Sequence, residues 1–85
     1  MASYNLRIKP SAVKELEALP KKDRQRVTAR IRGLATDPRP QGGETLSGQD
    51  LYRVRQGDYR VLYTVDDPAL LVVIYKIGHR REVYR

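Results

Sequence analysis

Between Leu51 and Ile77 the chain switches side-chain character with the regularity of strands, and this stretch limits the possible folds more than any other. Leu51-Tyr52-Arg53-Val54-Arg55 alternates apolar and polar residues, Gln56-Gly57-Asp58 turns, and Tyr59-Arg60-Val61-Leu62-Tyr63-Thr64-Val65 runs back. Asp66-Asp67-Pro68-Ala69 turns the chain once more into Leu70-Leu71-Val72-Val73-Ile74-Tyr75-Lys76-Ile77, a nearly continuous apolar run of the kind buried on both faces. The pattern predicts a three-strand antiparallel meander.

A two-residue Gly57-Asp58 turn pairs Gln56 with Tyr59, Arg55 with Arg60, Val54 with Val61 and Arg53 with Leu62. Arg53, Arg55 and Arg60 then share one face. Tyr52, Val54, Tyr59, Val61, Tyr63 and Val65 share the other, where helices are expected to pack. A three-residue turn would bury Arg60 among apolar neighbours, so side-chain parity argues against it. Carrying the parity through the second turn, with Val65 opposite Leu70, sets Tyr75 across from Arg60. Like charges directly opposite one another cost up to about 1 kcal/mol per pair, so an anion is expected to relieve them.

The N-terminal half reads as helical. Tyr4 to Ile8 alternates as a short strand ending at Pro10, and from Ser11 the apolar residues Ala12, Val13, Leu16 and Leu19 recur at helical spacing up to Pro20. A second helix is expected over Lys21 to Ala35, with Val27, Ile31 and Leu34 on one face. From Lys21 to Arg32 it carries six bases (Lys21, Lys22, Arg24, Arg26, Arg30, Arg32) against one acid, Asp23. Asp37-Pro38-Arg39-Pro40 with Gly42, Gly43 and Gly48 then marks a long loop. The predicted architecture is α+β, a single domain over residues 1–85 with an N-terminal strand, a two-helix hairpin and a meander sheet.

Composition narrows the chemistry. The 85 residues hold 17 Lys and Arg against 10 Asp and Glu, a net charge of +7, and twelve of the 17 bases are arginine. Such a balance attracts polyanions, and the planar guanidinium fork suits phosphate. With no cysteine and one histidine, an ordinary thiolate or imidazole metal site is not expected, nor is any cofactor. No apolar run approaches a membrane span, and the first residues lack the basic-then-apolar pattern of a secretory signal, so a membrane role is not expected and the expected compartment is the cytoplasm.

Arginine forks bind phosphate oxygens and stabilise the charge that builds on a pentavalent phosphorane. RNA brings its own nucleophile, the 2′-hydroxyl beside the scissile phosphate, so phosphodiester transesterification needs no metal here. Guanidinium groups stay protonated and make poor bases, which leaves His79 or Tyr84, in the segment after Gly78, to move protons. Tyr75 is a candidate for stacking on a base, and Lys22 and Arg30 on the basic helix are candidates for contact with RNA phosphates.

Leu46-Ser47-Gly48, the run Leu51 to Tyr63 and the terminal Ile77-Gly78-His79-Arg80-Arg81-Glu82-Val83-Tyr84-Arg85 resemble the RelE toxins of the RelE/ParE superfamily, from type II toxin–antitoxin operons. The resemblance implies a microbial-ribonuclease-like fold and an endoribonuclease that cuts mRNA in the ribosomal A site by 2′-hydroxyl attack. It also implies a RelB-like antitoxin that wraps the toxin in a hetero-oligomer. The family's basic residues before the hairpin fall at Arg53 and Arg55, its next-strand arginine at Arg60, its basic residue after the glycine at Arg80, and its C-terminal tyrosine at Tyr84. Where well-studied members carry lysines before the hairpin, one of them thought to be the base, this chain has arginines. Arg53 and Arg55 are then phosphate clamps, and the base is His79, Tyr84 or no single residue. Two rival readings remain: a ParE-like inhibitor that binds DNA gyrase without nuclease chemistry, and a catalytically inactive RNA-binding member.

Overall fold

The meander begins at a hairpin that turns on a glycine in the left-handed region. In the computed structural model, which describes residues 3–45 and 51–79, Gly57 sits at φ +62° while Asp58 stays at negative φ. That is the signature of a type II′ turn, whose twist matches that of the flanking strands. The strands it joins are β3 (Leu51–Gln56) and β4 (Tyr59–Asp66), and their register is Gln56 to Tyr59, Arg55 to Arg60, Val54 to Val61 and Arg53 to Leu62, as predicted.

Four further elements lie upstream and one downstream: β1 (Asn5–Ile8), α1 (Pro10–Glu17), α2 (Lys21–Gly33), the two-residue β2 (Glu44–Thr45), and β5 (Leu71–His79). Pro10 opens α1, where its missing N–H costs nothing, and Pro20 precedes α2. Asp23 in the first turn of α2 and Arg30 and Arg32 in its last complement the helix dipole. The helix ends at Gly33, two residues before the predicted Ala35.

The five strands form one mixed sheet in the order β1-β5-β4-β3-β2. The edge pairings carry what the meander pattern does not predict. β1 runs parallel to β5, with Leu6 against Val72 and Ile8 against Ile74, and β2 pairs antiparallel with β3 inside the expected loop. Both helices cover one face, burying Ala12, Val27, Ile31 and Leu34 against Val54, Val61, Tyr63, Val72, Ile74 and Ile77. Tyr52 and Tyr59 pack on the margin of this core, and Tyr52 stacks on Tyr63 with ring centroids 5.6 Å apart.

The register between β4 and β5 differs from expectation in two steps. Asp66 joins the ladder opposite Leu71 and Val65 opposite Val72, because Asp66 Oδ1 accepts from the Ala69 N–H at 3.2 Å and Leu70 turns into the left-handed region at φ +51°. A bulge between Leu62 and Tyr63 then sets Leu62 against Lys76 and Tyr63 against Ile74, with Tyr75 as the extra residue. The cause lies in the sequence of β5: Ile74 and Ile77 are both buried yet three residues apart, which strict alternation forbids and one extra residue permits. Arg60 consequently faces Gly78, and the predicted pairing of Arg60 with Tyr75 is corrected.

A cluster outside the core ties three connections together. Arg39 donates from both terminal nitrogens to Asp67 (3.1 and 2.8 Å) and from Nε to the Tyr52 hydroxyl (3.1 Å), while the Tyr4 hydroxyl donates to Asp67 at 2.6 Å. These bonds hold Asp67 below the usual carboxylate range and Tyr4 above the usual phenol range.

Candidate active site

Because Val54 and Val61 point into the helix-covered core, the residues that alternate with them on β3 and β4 emerge on the opposite face. Arg53, Arg55 and Arg60 are gathered there, with Arg55 and Arg60 directly opposite one another. Arg53 and Arg60 are buried, at 7% and 6% exposure, whereas Arg55 stands out into solvent.

The anion that this cluster calls for is supplied within the chain. Glu44 on β2 registers with Arg53, and its Oε2 accepts from Arg53 Nη2. Its Oε1 lies 3.5 Å from Arg55 Nη2. One carboxylate therefore bridges two guanidinium groups. Sequence reasoning missed Glu44, since a two-residue strand shows no periodicity. The available signal was the expected like-charge repulsion together with a nearby acid in the loop that leads into β3.

The other candidates divide by place. His79 registers with Tyr59 and meets its ring edge-on, centroids 6.0 Å apart, so this candidate for proton transfer lies on the helix side of the sheet, opposite the arginines. The bulge is the physical reason, since it shifts the parity of every β5 residue beyond it relative to the expected register. His79 instead lines a groove with Glu15, Leu19, Tyr59 and Ile77 on the helix side. In that groove Glu15 accepts from the Ile77 N–H at 3.0 Å and pairs with Lys76 at 2.8 Å. Tyr75 is 40% exposed on the bulge, with Lys9 Nζ 4.4 Å from its ring centroid.

Lys22 and Arg30 belong to α2, in the layer beyond the core, and are not brought to the arginine face. Lys22 is exposed, while Arg30 is half-buried beside Leu34 and Asp37. A second groove, between α1 and α2 and lined by Leu16, Arg24, Thr28 and Arg32, also lies in that layer and holds none of the candidate chemistry. Tyr63 donates to the Pro38 carbonyl at 2.7 Å, and burial pushes its phenol up to about 12. Arg80 and Tyr84 lie outside the described residues. Among the described residues, no cluster of His, Cys, Asp and Glu could hold a metal ion, and no helix is long and apolar enough to cross a membrane.

The arginine face suits an anion with several oxygens, as the two oxygens of Glu44 show by dividing between Arg53 and Arg55. Residues 6–84 match the family described as the ParE toxin of type II toxin–antitoxin system, parDE. The chain is 32% identical to the toxin RelE of Mycobacterium tuberculosis, over 96% of this chain and 87% of that one. It superposes with a TM-score of 0.83 on a chain of the toxin–antitoxin complex RelBE2 from Mycobacterium tuberculosis, at 31% identity over 94% of both chains. With a chain of the archaeal RelE–RelB complex from Pyrococcus horikoshii the TM-score is 0.84, at 34% identity over 92% of this chain and 96% of that one.

Two helices on one face of a mixed sheet, with arginines on the other, thus define a toxin of a type II toxin–antitoxin system. The chain belongs to the RelE/ParE toxin family and within it is RelE-like.

Proposed function

We propose that this toxin is a metal-independent endoribonuclease that cuts mRNA in the ribosomal A site and so arrests translation. The observation that carries the reading is the Arg55–Arg60 pair with Arg53 beside it, three arginines placed by register on the face away from the helices. Forks from two strands would hold the non-bridging oxygens of a scissile phosphate and stabilise the charge that develops on them. The 2′-hydroxyl attacks the adjacent phosphorus and gives up its proton, and the P–O5′ bond breaks as the 5′ oxygen takes one. The products are a 2′,3′-cyclic phosphate and a 5′-hydroxyl. Arg80 and Tyr84 enter by resemblance, as a further phosphate ligand and a proton donor. His79 is assigned packing on Tyr59 in place of proton transfer.

Solved relatives that are toxin–antitoxin complexes support a RelB-like antitoxin as partner. Ribosomal RNA is the proposed ligand of the exposed bases on α2, Lys22 among them, and stacking on a base is the proposed role of Tyr75, whose 40% exposure supports it. The cytoplasm is the compartment this activity requires. The match to a ParE-described model favours gyrase inhibition as the second reading. Programmed ribosomes mixed with the purified toxin separate the two: cleaved mRNA bearing a 5′-hydroxyl is the expected result, whereas intact mRNA together with inhibited DNA supercoiling favours the second.

A further inference from the structure

The geometry points to Glu44 as an internal anion that occupies the phosphate position of Arg53 and Arg55 and is displaced when RNA binds, an inference that rests on the ribonuclease reading. The two carboxylate oxygens divide between the Nη2 atoms of the two arginines, as two non-bridging oxygens of a phosphodiester would.

The pieces differ in how firmly they are held. The Arg53 side chain is 8% exposed and lies on β3, which has strand neighbours on both sides. Glu44 is 47% exposed and belongs to a two-residue strand at the edge of the sheet. The arginines are therefore the fixed part and the carboxylate the movable one. The Glu44–Arg55 pair, 3.5 Å apart with both side chains exposed, is weak and screened by salt, and the carboxylate also keeps one side open to water against Arg53, so a phosphate can compete for the place. The exchange lets the unoccupied toxin keep its arginines ordered with their repulsion relieved, and it lowers affinity for any passing polyanion until a correctly placed phosphate arrives.

The test uses full-length toxin and a 2′-O-methyl oligoribonucleotide, which binds as RNA but cannot be cut. Glu44→Gln keeps the shape of the side chain and removes its charge. Binding by fluorescence anisotropy is expected to tighten roughly three- to tenfold at low salt. The slope of log affinity against log salt should steepen by roughly 0.7, the value of one more neutralised phosphate on a single strand. In the wild-type chain, the side-chain carboxyl ¹³C resonance of Glu44 should move as the oligonucleotide saturates. Unchanged or weaker binding by Glu44→Gln, or a carboxyl resonance that stays put at saturation, overturns the displacement. Unchanged binding with slower cleavage overturns it too and assigns the carboxylate to proton transfer. If neither chain binds the oligonucleotide, the displacement is overturned, whereas the ribonuclease reading falls only if programmed ribosomes also yield no cleaved mRNA.

Discussion

Arg60 and His79 stand on opposite faces of the sheet: Arg60 registers with Gly78, and His79 with Tyr59. The bulge between Leu62 and Tyr63 produces this separation, and that bulge is needed to bury Ile74 and Ile77 together. Core packing thus decides which groups can reach a phosphate on the arginine face.

Substitutions should therefore divide by face. Arg60→Ala is expected to slow mRNA cleavage by roughly 10²–10³, the scale of losing one donor to a developing oxyanion. Tyr84→Phe should also remove growth arrest if its phenol donates a proton. His79→Ala should lower cleavage less than about tenfold, well short of the 10²–10⁴ of a lost acid or base, while costing about 0.5–1.5 kcal/mol of edge-to-face packing. Single-turnover cleavage and thermal melts on the same preparations check the pattern, and a His79→Ala chain that folds but fails to cleave contradicts it.

Ile74 makes the cost of the core measurable. It is fully buried where β1, β5 and the helices meet, so Ile74→Ala should destabilise by about 2–5 kcal/mol and Ile74→Val by about 0.5–1.5 kcal/mol. Urea unfolding of both variants reads the difference. Equal, small losses would mean that the site collapses freely.

Stability should fall at both ends of the pH scale for separate reasons. Hydrogen bonds from Arg39, then Tyr4, hold Asp67 below its ordinary value. Its contribution is therefore present above the unfolded value of about 4 and is lost as pH falls through the depressed one. Asp67→Asn should melt lower at neutral pH and converge with the wild type in acid. Tyr63 behaves in the opposite sense. Burial raises it to about 12, so its contribution is intact below about pH 10 and is lost as pH rises toward 12. Melting temperatures across pH, with Tyr63→Phe as the variant for the alkaline limb, test both signs.

Leu70 is the one described non-glycine residue at positive φ, and it is 38% exposed. Relief of left-handed strain should outweigh the small apolar loss, so Leu70→Gly is expected to be neutral or stabilising by up to about 1 kcal/mol. A clear destabilisation by thermal melting would show that the Leu70 side chain packs more than its exposure indicates.

The hairpin and its arginine face are legible in the sequence because Gly57-Asp58 is a two-residue turn and alternation on both sides carries a single parity. The helices are legible because Val27 and Ile31 repeat at one turn and Pro10 and Pro20 mark where helices open. Three features escaped for physical reasons. The parallel β1–β5 pairing is a long-range contact with no local signature. The bulge follows from the i, i+3 spacing of Ile74 and Ile77, which a nearly continuous apolar run conceals. Glu44 lies on a strand too short to show a period, yet it occupies the place where repulsion among the arginines demanded a negative charge.

The central claim is that the arginine face cuts mRNA during translation, and mapping RNA 5′ ends in cells expressing the chain tests it most directly. Wild-type toxin should generate discrete new 5′-hydroxyl ends inside translated codons, and Arg60→Ala should generate none at equal protein level. Growth arrest with no new ends, or the same ends from the Arg60→Ala chain, would contradict the account.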